Sequence, residues 1–323
     1  MTSGDFNGDG KLDLLCGNLG TNSRYEIHRL NGLVWYHGDI SGSGMNDVFE
    51  SYKVKRNSNS VPIRPRNEVL RAIPFLGELF TTYNSFASAN SKQILGTQFN
   101  GLGQVQITKL ESVIFLNRGD SFEAVDLPPE AQIAPVYGVT VADFNGDGNE
   151  DAFLSQNFFG TRPSFPRLDA GQGLLLKGDG NGRFTPMNSI QSGILIHGDQ
   201  RGSATSDYNK DGRPDLLVGQ NSGATKLFQN LKAKRGLTVQ LVGQADNPKA
   251  IGATIQIEYE NEGGPVREIR AGGGYRSQDS PVQILGVGDN TPLVVNVTWP
   301  SGKKMQVPIA PEDRNMTIVE DAE

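Results

Sequence analysis

The residues best able to do chemistry are carboxylates and amides that recur in one fixed pattern. The nine-residue pattern D-x-N-x-D-G-x-x-D occurs three times without a mismatch, beginning at Asp5, Asp143 and Asp207. A fourth copy, DISGSGMND, begins at Asp39 and keeps both terminal aspartates and the glycine, but has serines at two inner positions. Alternate residues of a looped segment can point toward one centre. Oxygen atoms gathered in this way are the ligands that calcium takes in proteins.

Positions 1, 3, 5 and 9 of the pattern would supply side-chain oxygens, and position 7 its backbone carbonyl. The glycine at position 6 would allow the sharp bend that brings them together. The predicted Ca²⁺ ligands in the intact copies are Asp5, Asn7, Asp9, Lys11 and Asp13; Asp143, Asn145, Asp147, Asn149 and Asp151; and Asp207, Asn209, Asp211, Arg213 and Asp215. In the fourth copy they are Asp39, Ser41, Ser43 and Asp47, where a metal-free turn is an equal alternative because hydroxyls replace carboxylates poorly.

The spacing of the loop residues admits three other interpretations. An EF-hand would carry Glu at position 12 and helices on both sides, whereas position 12 holds Cys16, Leu154 and Val218 and strand-like residues follow. Magnesium is an alternative, but a cage of many protein oxygens suits calcium better. An ordinary Asp/Asn/Gly turn without metal accounts for one copy more easily than for three.

The residues around each loop predict β-structure. Apolar runs of strand length (LLCG, VFES, AFLS and LLVG) follow the four loops, and LVWYHG and YGVTVA precede two of them. Each loop is therefore expected to join two strands of one sheet. The fullest unit predicts four strands at 138–142, 152–156, 173–177 and 183–187, with a GDGNG hairpin turn between the last two.

The long gap between the second and third loops predicts a helical insertion at about 53–112. Its apolar residues recur at helical spacing and predict two short helices; they are Val69, Leu70, Ile73, Leu76, Leu79 and Phe80. The segment SVIFLNRGDSFEAV at 112–125 is expected to close the unit that begins with the second loop. Arg118-Gly119-Asp120 falls where that hairpin must turn, so a turn is the favoured role for this tripeptide.

After residue 232 the acidic loops vanish and alternating strands take over. Seven short strands are predicted, namely LTVQLVG, TIQIEY, VREIRAG, VQILGV, LVVNVTW, KMQVPI and NMTIVE. The predicted organisation is all-β, with propeller-type blades in an incomplete ring over residues 1–232 and a β-sandwich-like domain over 233–323. Trp299 is expected in the sandwich core.

The loops and their flanking strands resemble FG-GAP/VCBS repeats, the blades of integrin-α-like β-propellers, and this resemblance implies structural calcium. The strings IGATIQIEY (251–259), AGGGYRSQDS (271–280) and VTWPSGKKMQV (297–307) resemble the ASPIC/UnbV domain. Propellers of this family usually close with six or seven blades, more than the chain provides. The chain is therefore expected to be the C-terminal part of a longer protein, whose missing blades would be a partner.

Charge and composition exclude several classes. The net charge of −6 disfavours nucleic-acid binding through phosphate neutralisation, and no run of about 18 apolar residues could span a membrane. The single cysteine, Cys16, permits neither an internal disulfide nor a cysteine-based zinc site. The three histidines are scattered in the sequence and form no metal-ligand pattern.

These features predict a non-catalytic, calcium-binding module, extracellular or on the cell surface, that recognises a protein or a glycan. An extracellular place is expected because calcium is abundant enough there to fill modest sites. Alternatives are a polysaccharide-acting enzyme with its site in the propeller channel, and a structural surface-assembly component. An enzyme is disfavoured because nearly all clustered aspartates are committed to the loops. Tyr275 and Arg276 are expected in a turn, with a recognition loop as the alternative; Phe158–Phe165, with Arg162 and Arg167, could line a binding surface or cover a blade edge.

Overall fold

A computed structural model describes residues 1–56, 58–162, 165–260 and 263–321. The chain divides into two compact units. One unit comprises Met1–Gly20 together with Glu111–Glu323, and the other comprises Thr21–Leu110. The first is built mainly from short antiparallel strands, and the second combines one four-stranded antiparallel sheet with short helices. The chain as a whole is mostly β-strand, which confirms the all-β fold class.

The strands, in chain order, are β1 (Thr2–Gly4), β2 (Asp13–Cys16), β3 (Leu33–Gly38), β4 (Asp47–Lys53), β5 (Ser60–Pro62), β6 (Gly103–Ile107), β7 (Val113–Asn117), β8 (Phe122–Asp126), β9 (Val136–Ala142), β10 (Asp151–Gln156), β11 (Leu174–Gly178), β12 (Phe184–Met187), β13 (Asp199–Ser206), β14 (Asp215–Asn221), β15 (Gly223–Phe228), β16 (Leu237–Val242), β17 (Thr254–Tyr259), β18 (Arg267–Glu268), β19 (Gln283–Leu285), β20 (Pro292–Thr298), β21 (Lys304–Pro308) and β22 (Asn315–Val319). The α-helices are α1 (Glu26–Arg29), α2 (Arg66–Ala72), α3 (Leu76–Leu79), α4 (Tyr83–Ala87), α5 (Ser91–Leu95) and α6 (Ser189–Ser192), and 3₁₀ turns span Gly96–Gly101 and Pro129–Ala131.

Three antiparallel sheets in the first unit have the order expected of propeller blades. The first blade is β1-β2-β7-β8, the second is β9-β10-β11-β12, and the third is β13-β14-β15. Their leading strands lie side by side, with β1 next to β9 and β9 next to β13. Thr140 and Ser203 share a 2.6 Å hydrogen bond across the last of these contacts. Buried apolar side chains form one core between the first and second blades and a separate core between the second and third.

The prediction that residues 112–125 close the unit of the second loop is wrong. Strands β7 and β8 complete the first blade instead, because β7 pairs with β2 in the register Leu15↔Ile114. Both of these side chains are buried in the same core. The whole of residues 21–110 is therefore inserted between neighbouring strands of one sheet. Such long insertions are tolerated because the entropy of closing a loop grows only slowly with its length.

The second unit contains the sheet β5-β4-β3-β6 with α2 to α5 packed against it. The prediction of two helices is wrong, since four short helices and a 3₁₀ turn occupy this part of the insertion. Pro74 separates α2 from α3, because a proline disfavours helical backbone at the residue before it. Thr82 and Asn90 begin α4 and α5 with reciprocal capping boxes.

All seven strands predicted after residue 232 are present as β16 to β22. They form two sheets, β19-β16-β22 and β18-β17-β20-β21, with β16 and β22 parallel. Inward side chains of both sheets make one core, in which Trp299 is only 1% exposed. The predicted core position of Trp299 is confirmed. Among the described residues, no helix is long and apolar enough to cross a membrane.

Candidate functional site

Each acidic loop joins two adjacent strands of one sheet, as the sequence predicted. In all four loops the Asp at position 1 accepts a hydrogen bond from the backbone N–H of the glycine at position 6. The four distances lie between 2.7 and 3.0 Å, for Asp5–Gly10, Asp39–Gly44, Asp143–Gly148 and Asp207–Gly212. These glycines have positive φ, a conformation that side chains with a β-carbon rarely adopt. The loops therefore bend at the predicted glycine.

The Asp at position 9 accepts a hydrogen bond from within its loop and another from a residue outside the loop. Asp151 accepts hydrogen bonds from Phe144 N–H at 2.9 Å and from Gly178 N–H, on β11, also at 2.9 Å. Asp13 bonds in the same way to Phe6 and Asn117, and Asp215 to Tyr208 and Asn230. Asp151 also accepts a hydrogen bond from Asn145 N–H at 3.2 Å. An ionised carboxylate has about four acceptor positions, so these aspartates keep at least one position open for a cation.

Several aspartates of the three intact loops are buried. Asp5, Asp143 and Asp151 are each no more than 2% exposed. Burial raises the pKa of Asp5 and of Asp151 and raises that of Asp143 to about 6, because a charged carboxylate is poorly solvated inside the protein. Burial raises the pKa of Asp13 and Asp215 as well. Ionising these buried carboxylates therefore costs free energy, and a bound cation would lower that cost.

Two carboxylate oxygens support the fit to a cation. Oδ1 of Asp5 and Oδ1 of Asp211 are buried and accept no hydrogen bond. The Asp at position 5 already has one cationic neighbour in each intact loop: Lys11 at 3.5 Å from Asp9, Lys177 at 3.0 Å from Asp147 and Arg213 at 3.1 Å from Asp211. Within the described chain, no group of three or more His, Cys, Asp or Glu residues is arranged to hold a metal ion. The three aspartates of an intact loop therefore do not form such a group by themselves, and the predicted ligand sets depend on the Asn amide and a backbone carbonyl as well.

The loop that begins at Asp39 lies in the second unit and differs from the other three. Its inner serines hydrogen-bond to each other, with Ser41 Oγ 2.9 Å from Ser43 Oγ. Hydrogen bonds to Asp47 from the Ser41 side chain and from the Ser41 N–H, the latter 2.8 Å long, lower the pKa of Asp47. Internal hydrogen bonds thus satisfy this loop, as they do in turns without a ligand.

The C-terminal sandwich contacts the second intact loop directly. Arg267 donates to both oxygens of Glu150, at 2.5 and 3.1 Å, and also to the carbonyl of Ile284 at 2.5 Å. Glu150 occupies position 8 of the loop and is buried beside Asp143. Gly286 packs so closely that a β-carbon there would lie 1.6 Å from Asp143 Oδ2. No residue larger than glycine fits at that point unless the loop moves.

The other two intact loops also contact the residues that follow the blades. Asp5 Oδ2 accepts a hydrogen bond from Val266 N–H at 3.1 Å. In the third loop, Gly212 accepts a bond from Gly236 N–H at 2.9 Å, and Arg213 donates to the Ala233 carbonyl at 2.6 Å. All three intact loops are therefore in contact with residues 233–286.

Sequence reasoning missed the residues that make this junction. Arg267 lies in the predicted strand VREIRAG and Glu150 at an unspecified position of the nine-residue pattern, so neither had a spacing signal. The three glycines before Tyr275 were a visible signal for close backbone approach, which the structure places against the second blade at Gly274.

The remaining sequence candidates lie away from the loops. Arg118-Gly119-Asp120 forms the β7–β8 hairpin turn, as predicted, and Arg118 pairs with Glu123 at 2.7 Å. Within Phe158–Phe165, positions 163 and 164 lie outside the described residues. Phe158 packs 6.0 Å from Tyr137, and Arg167 lies 4.9 Å over the ring of Phe159.

The raised pKa of Asp143 predicts an unusual pH response when calcium is chelated. The ionised carboxylate costs stability above pH 6, and this cost is removed as the pH falls through about 6 toward the unfolded value of about 3.9. Relative to Asp143→Asn, which cannot ionise, the wild type should gain melting temperature between pH 7.5 and pH 5. Thermal melts of both proteins in EDTA measure the difference. A constant difference across this range would contradict the prediction.

Comparison with known proteins finds a family match in the C-terminal region and similarity to several relatives. Residues 243–323 match the family described as ASPIC and UnbV, which confirms that part of the resemblance. Cartilage acidic protein 1 of mouse is 23% identical over 201 residues, covering 61% of this chain and 30% of the relative. The protein of that name from Xenopus tropicalis is 26% identical over 191 residues, covering 57% and 28%, and the human one is 23% identical over 201 residues. The chain thus spans less than a third of the length of these relatives.

Proposed function

We propose that this chain is a non-catalytic, extracellular binding module in which calcium in three acidic loops holds the C-terminal sandwich on the blades. Asp5, Asp143 and Asp207 begin the loops that would bind the ions. The observation that carries the proposal is that each intact loop contacts residues 233–286. The loops are thus placed where their occupancy would affect the junction.

The charges at the junction support a role for the cation. Asp143, Glu150 and Asp151 are buried close together, and Arg267 is the basic side chain that pairs with Glu150 there. One guanidinium leaves a net negative charge in a poorly solvated place, which raises the pKa of Asp143 through burial. A calcium ion at the loop would compensate that charge, and the ion would be held by the ligands that the sequence predicts.

The names of the relatives and the C-terminal family match support an extracellular, non-enzymatic role. A polysaccharide-acting enzyme would need a pair of carboxylates with distinct acid and base roles. The buried aspartates of the acidic loops instead accept hydrogen bonds from backbone N–H groups, and the buried Glu150 and Asp199 pair with arginines. A structural surface-assembly component would differ from a binding module only in the identity of its partner, which a pull-down would reveal.

The proposal predicts that the intact and serine-containing loops respond differently to mutation. Asp147→Ala removes the central carboxylate of a complete ligand set and should eliminate one calcium site, reducing the calcium-dependent stabilisation by about 1.4 kcal/mol at tenfold excess over Kd. Asp39→Ala should leave that stabilisation unchanged. Thermal melts with and without calcium measure both effects.

Asp246→Ala is the control, because this aspartate is exposed and lies outside every loop. It should match the wild type in its calcium response. Equal losses of that response in Asp147→Ala and Asp39→Ala would show that the serine-containing loop is also a working metal site and would contradict the distinction between the loops.

A further inference from the structure

The third blade has one strand fewer than its neighbours. Its sheet ends at β15, whereas β8 and β12 continue the first and second blades beyond β7 and β11. Within the described chain, no strand pairs with the outer edge of β15. The first five residues of β15 are exposed, whereas β7 and β11 are mostly buried. An exposed edge of this kind offers unpaired N–H and C=O groups to another strand.

One repeated hydrogen bond aligns the three blades residue by residue. The Asp at position 9 of each intact loop accepts a bond from a backbone N–H at the end of the third strand or just after it. The donors are Asn117 at 2.7 Å, Gly178 at 2.9 Å and Asn230 at 2.7 Å. In the first two blades this residue faces a phenylalanine on the fourth strand, Phe122 or Phe184. No fourth-strand residue of the described chain faces Asn230.

Phe184 shows which side chain a fourth strand brings to this place. Its ring packs edge-on against Phe6, at position 2 of the first loop, with 5.4 Å between the ring centres. Position 2 of the second loop is Phe144, which lines a groove of about 420 Å³ between the second and third blades. The other large apolar side chains of the groove are Leu175, Met187, Ile194, Leu216, Phe228 and Leu231. An aromatic side chain opposite Asn230 would enter this groove, as Phe184 enters the equivalent place.

Two lysines give the edge and the groove a positive charge. Lys226 lies on β15, and Lys232 lines the groove. Both are exposed, and neither forms an ion pair within the described chain. Among the described residues, no aspartate or glutamate lines the groove. Charge therefore favours an acidic strand at this edge, although the whole chain has a net charge of −6.

The fourth strand of the first blade already combines an aromatic residue with acidic ones. β8 has the sequence FEAVD, with Phe122 opposite Asn117 and Asp126 four residues further along. When this sequence is aligned through Asn230, its phenylalanine falls at the groove and its last aspartate falls directly opposite Lys226. Opposite charges in facing positions of two strands attract each other. The chain's own repeat thus describes a strand that fits the edge of β15.

We propose that the edge of β15 binds an extended acidic strand of a partner polypeptide, antiparallel to β15 and with an aromatic side chain in the groove against Phe144. The inference rests on the proposed function as a binding module, for which it names the partner class. Backbone hydrogen bonds to an open sheet edge supply affinity, and side chains that enter pockets supply specificity. Every described strand of the first unit is already paired within a sheet, and a second copy would offer only the same paired strands. The partner is therefore a different polypeptide.

The test is a calorimetric titration of the whole chain with a capped peptide SFEAVD, the sequence of residues 121–126. The wild type should bind SFEAVD, and bind SAEAVD at least about tenfold more weakly, because the groove loses the aromatic ring. Lys226→Glu should bind SFEAVD about fivefold more weakly and should bind SFEAVK more tightly than the wild type does, because the facing charges are reversed. Lys249→Glu, at an exposed lysine of the sandwich, is the matched control and should bind both peptides as the wild type does.

Two further peptides test the strand geometry. In an extended strand, alternate backbone N–H groups point to the same side, so only one alternate set can bond to β15. SFEAVD is methylated on the backbone nitrogens of Phe and Ala in one peptide, and on those of Glu and Val in the other. One of them should bind about as well as SFEAVD, and the other at least about tenfold more weakly, because it loses its hydrogen bonds to the edge.

Four results would overturn the inference: no binding of SFEAVD at millimolar concentration, equal binding of SFEAVD and SAEAVD, equal binding of the two methylated peptides, or unchanged binding of SFEAVD by Lys226→Glu. A dimer in sedimentation that SFEAVD dissociates would also overturn it, because a second copy would then cover the edge. Titrations run with calcium and with EDTA keep the two proposals apart. A protein that binds SFEAVD but melts identically in both buffers refutes the calcium proposal alone. A protein stabilised by calcium that does not bind SFEAVD refutes the edge proposal alone.

Discussion

Chelation of calcium is expected to lower the melting temperature of the first unit by about 10 °C. Each proposed site would contribute about 1.4 kcal/mol with calcium at ten times its Kd, so three sites would contribute about 4 kcal/mol. For a unit of this size, 1 kcal/mol corresponds to about 2–4 °C. The physical reason is that buried carboxylates such as Asp5 and Asp143 lose the charge compensation of the ion. Differential scanning calorimetry in calcium and in EDTA measures the shift.

Magnesium at the same concentration is the control for ionic strength and for nonspecific divalent binding. It should restore little of the lost stability, because a site of many protein oxygens favours calcium. Full rescue by magnesium would reject calcium as the specific ion. An unchanged melt in EDTA, in protein shown to be metal-free, would reject the stabilising role altogether.

Arg267→Ala is expected to destabilise the first unit by about 3–5 kcal/mol, because it leaves Glu150 buried without its partner. The Glu150 side chain is only 1% exposed, and the guanidinium holds both of its oxygens. The change also removes the bond to the Ile284 carbonyl on β19. Urea denaturation measures the loss, and hydrogen exchange should show increased opening in β17 to β19 before the blades unfold.

Two variants separate the buried charge from a general effect of losing an arginine. Arg118→Ala removes an exposed ion pair with Glu123 and should cost no more than about 1 kcal/mol. The double variant Arg267→Met with Glu150→Leu replaces the buried pair by apolar groups and should recover most of the stability. A cost for Arg267→Ala similar to that of Arg118→Ala would show that the pair does not hold the junction.

Local sequence patterns predicted the strands but not which distant strands pair with each other. Alternating apolar residues indicated all seven strands of the sandwich, and glycine at position 6 indicated the bend in each acidic loop. No local signal distinguishes the two possible partners of β7, because its pairing with β2 spans residues 21–110. The buried contacts of Ile114 with Leu15 decide the matter only in the folded protein.

The sequence predicted the residues of the candidate site but not their surroundings. Spacing alone named the carboxylates of each loop, and their role as metal ligands stays a prediction. Spacing could not show that Asp151 bonds to Gly178 on the neighbouring strand, or that Gly286 lies against Asp143. Such contacts depend on which surfaces the tertiary fold brings together. Arg267 is the clearest case, because its importance follows from burial beside Glu150 and from nothing in its own sequence context.

The number of calcium ions bound tests the central proposal most directly. Protein that has been stripped with EDTA and dialysed should bind three equivalents of calcium in a calorimetric titration. The heat of binding should fall to zero once the three sites are filled. Asp147→Ala should bind two equivalents, and Asp39→Ala three. Fewer than two equivalents in the wild type, or an unchanged count in Asp147→Ala, would contradict the assignment of the three intact loops as calcium sites.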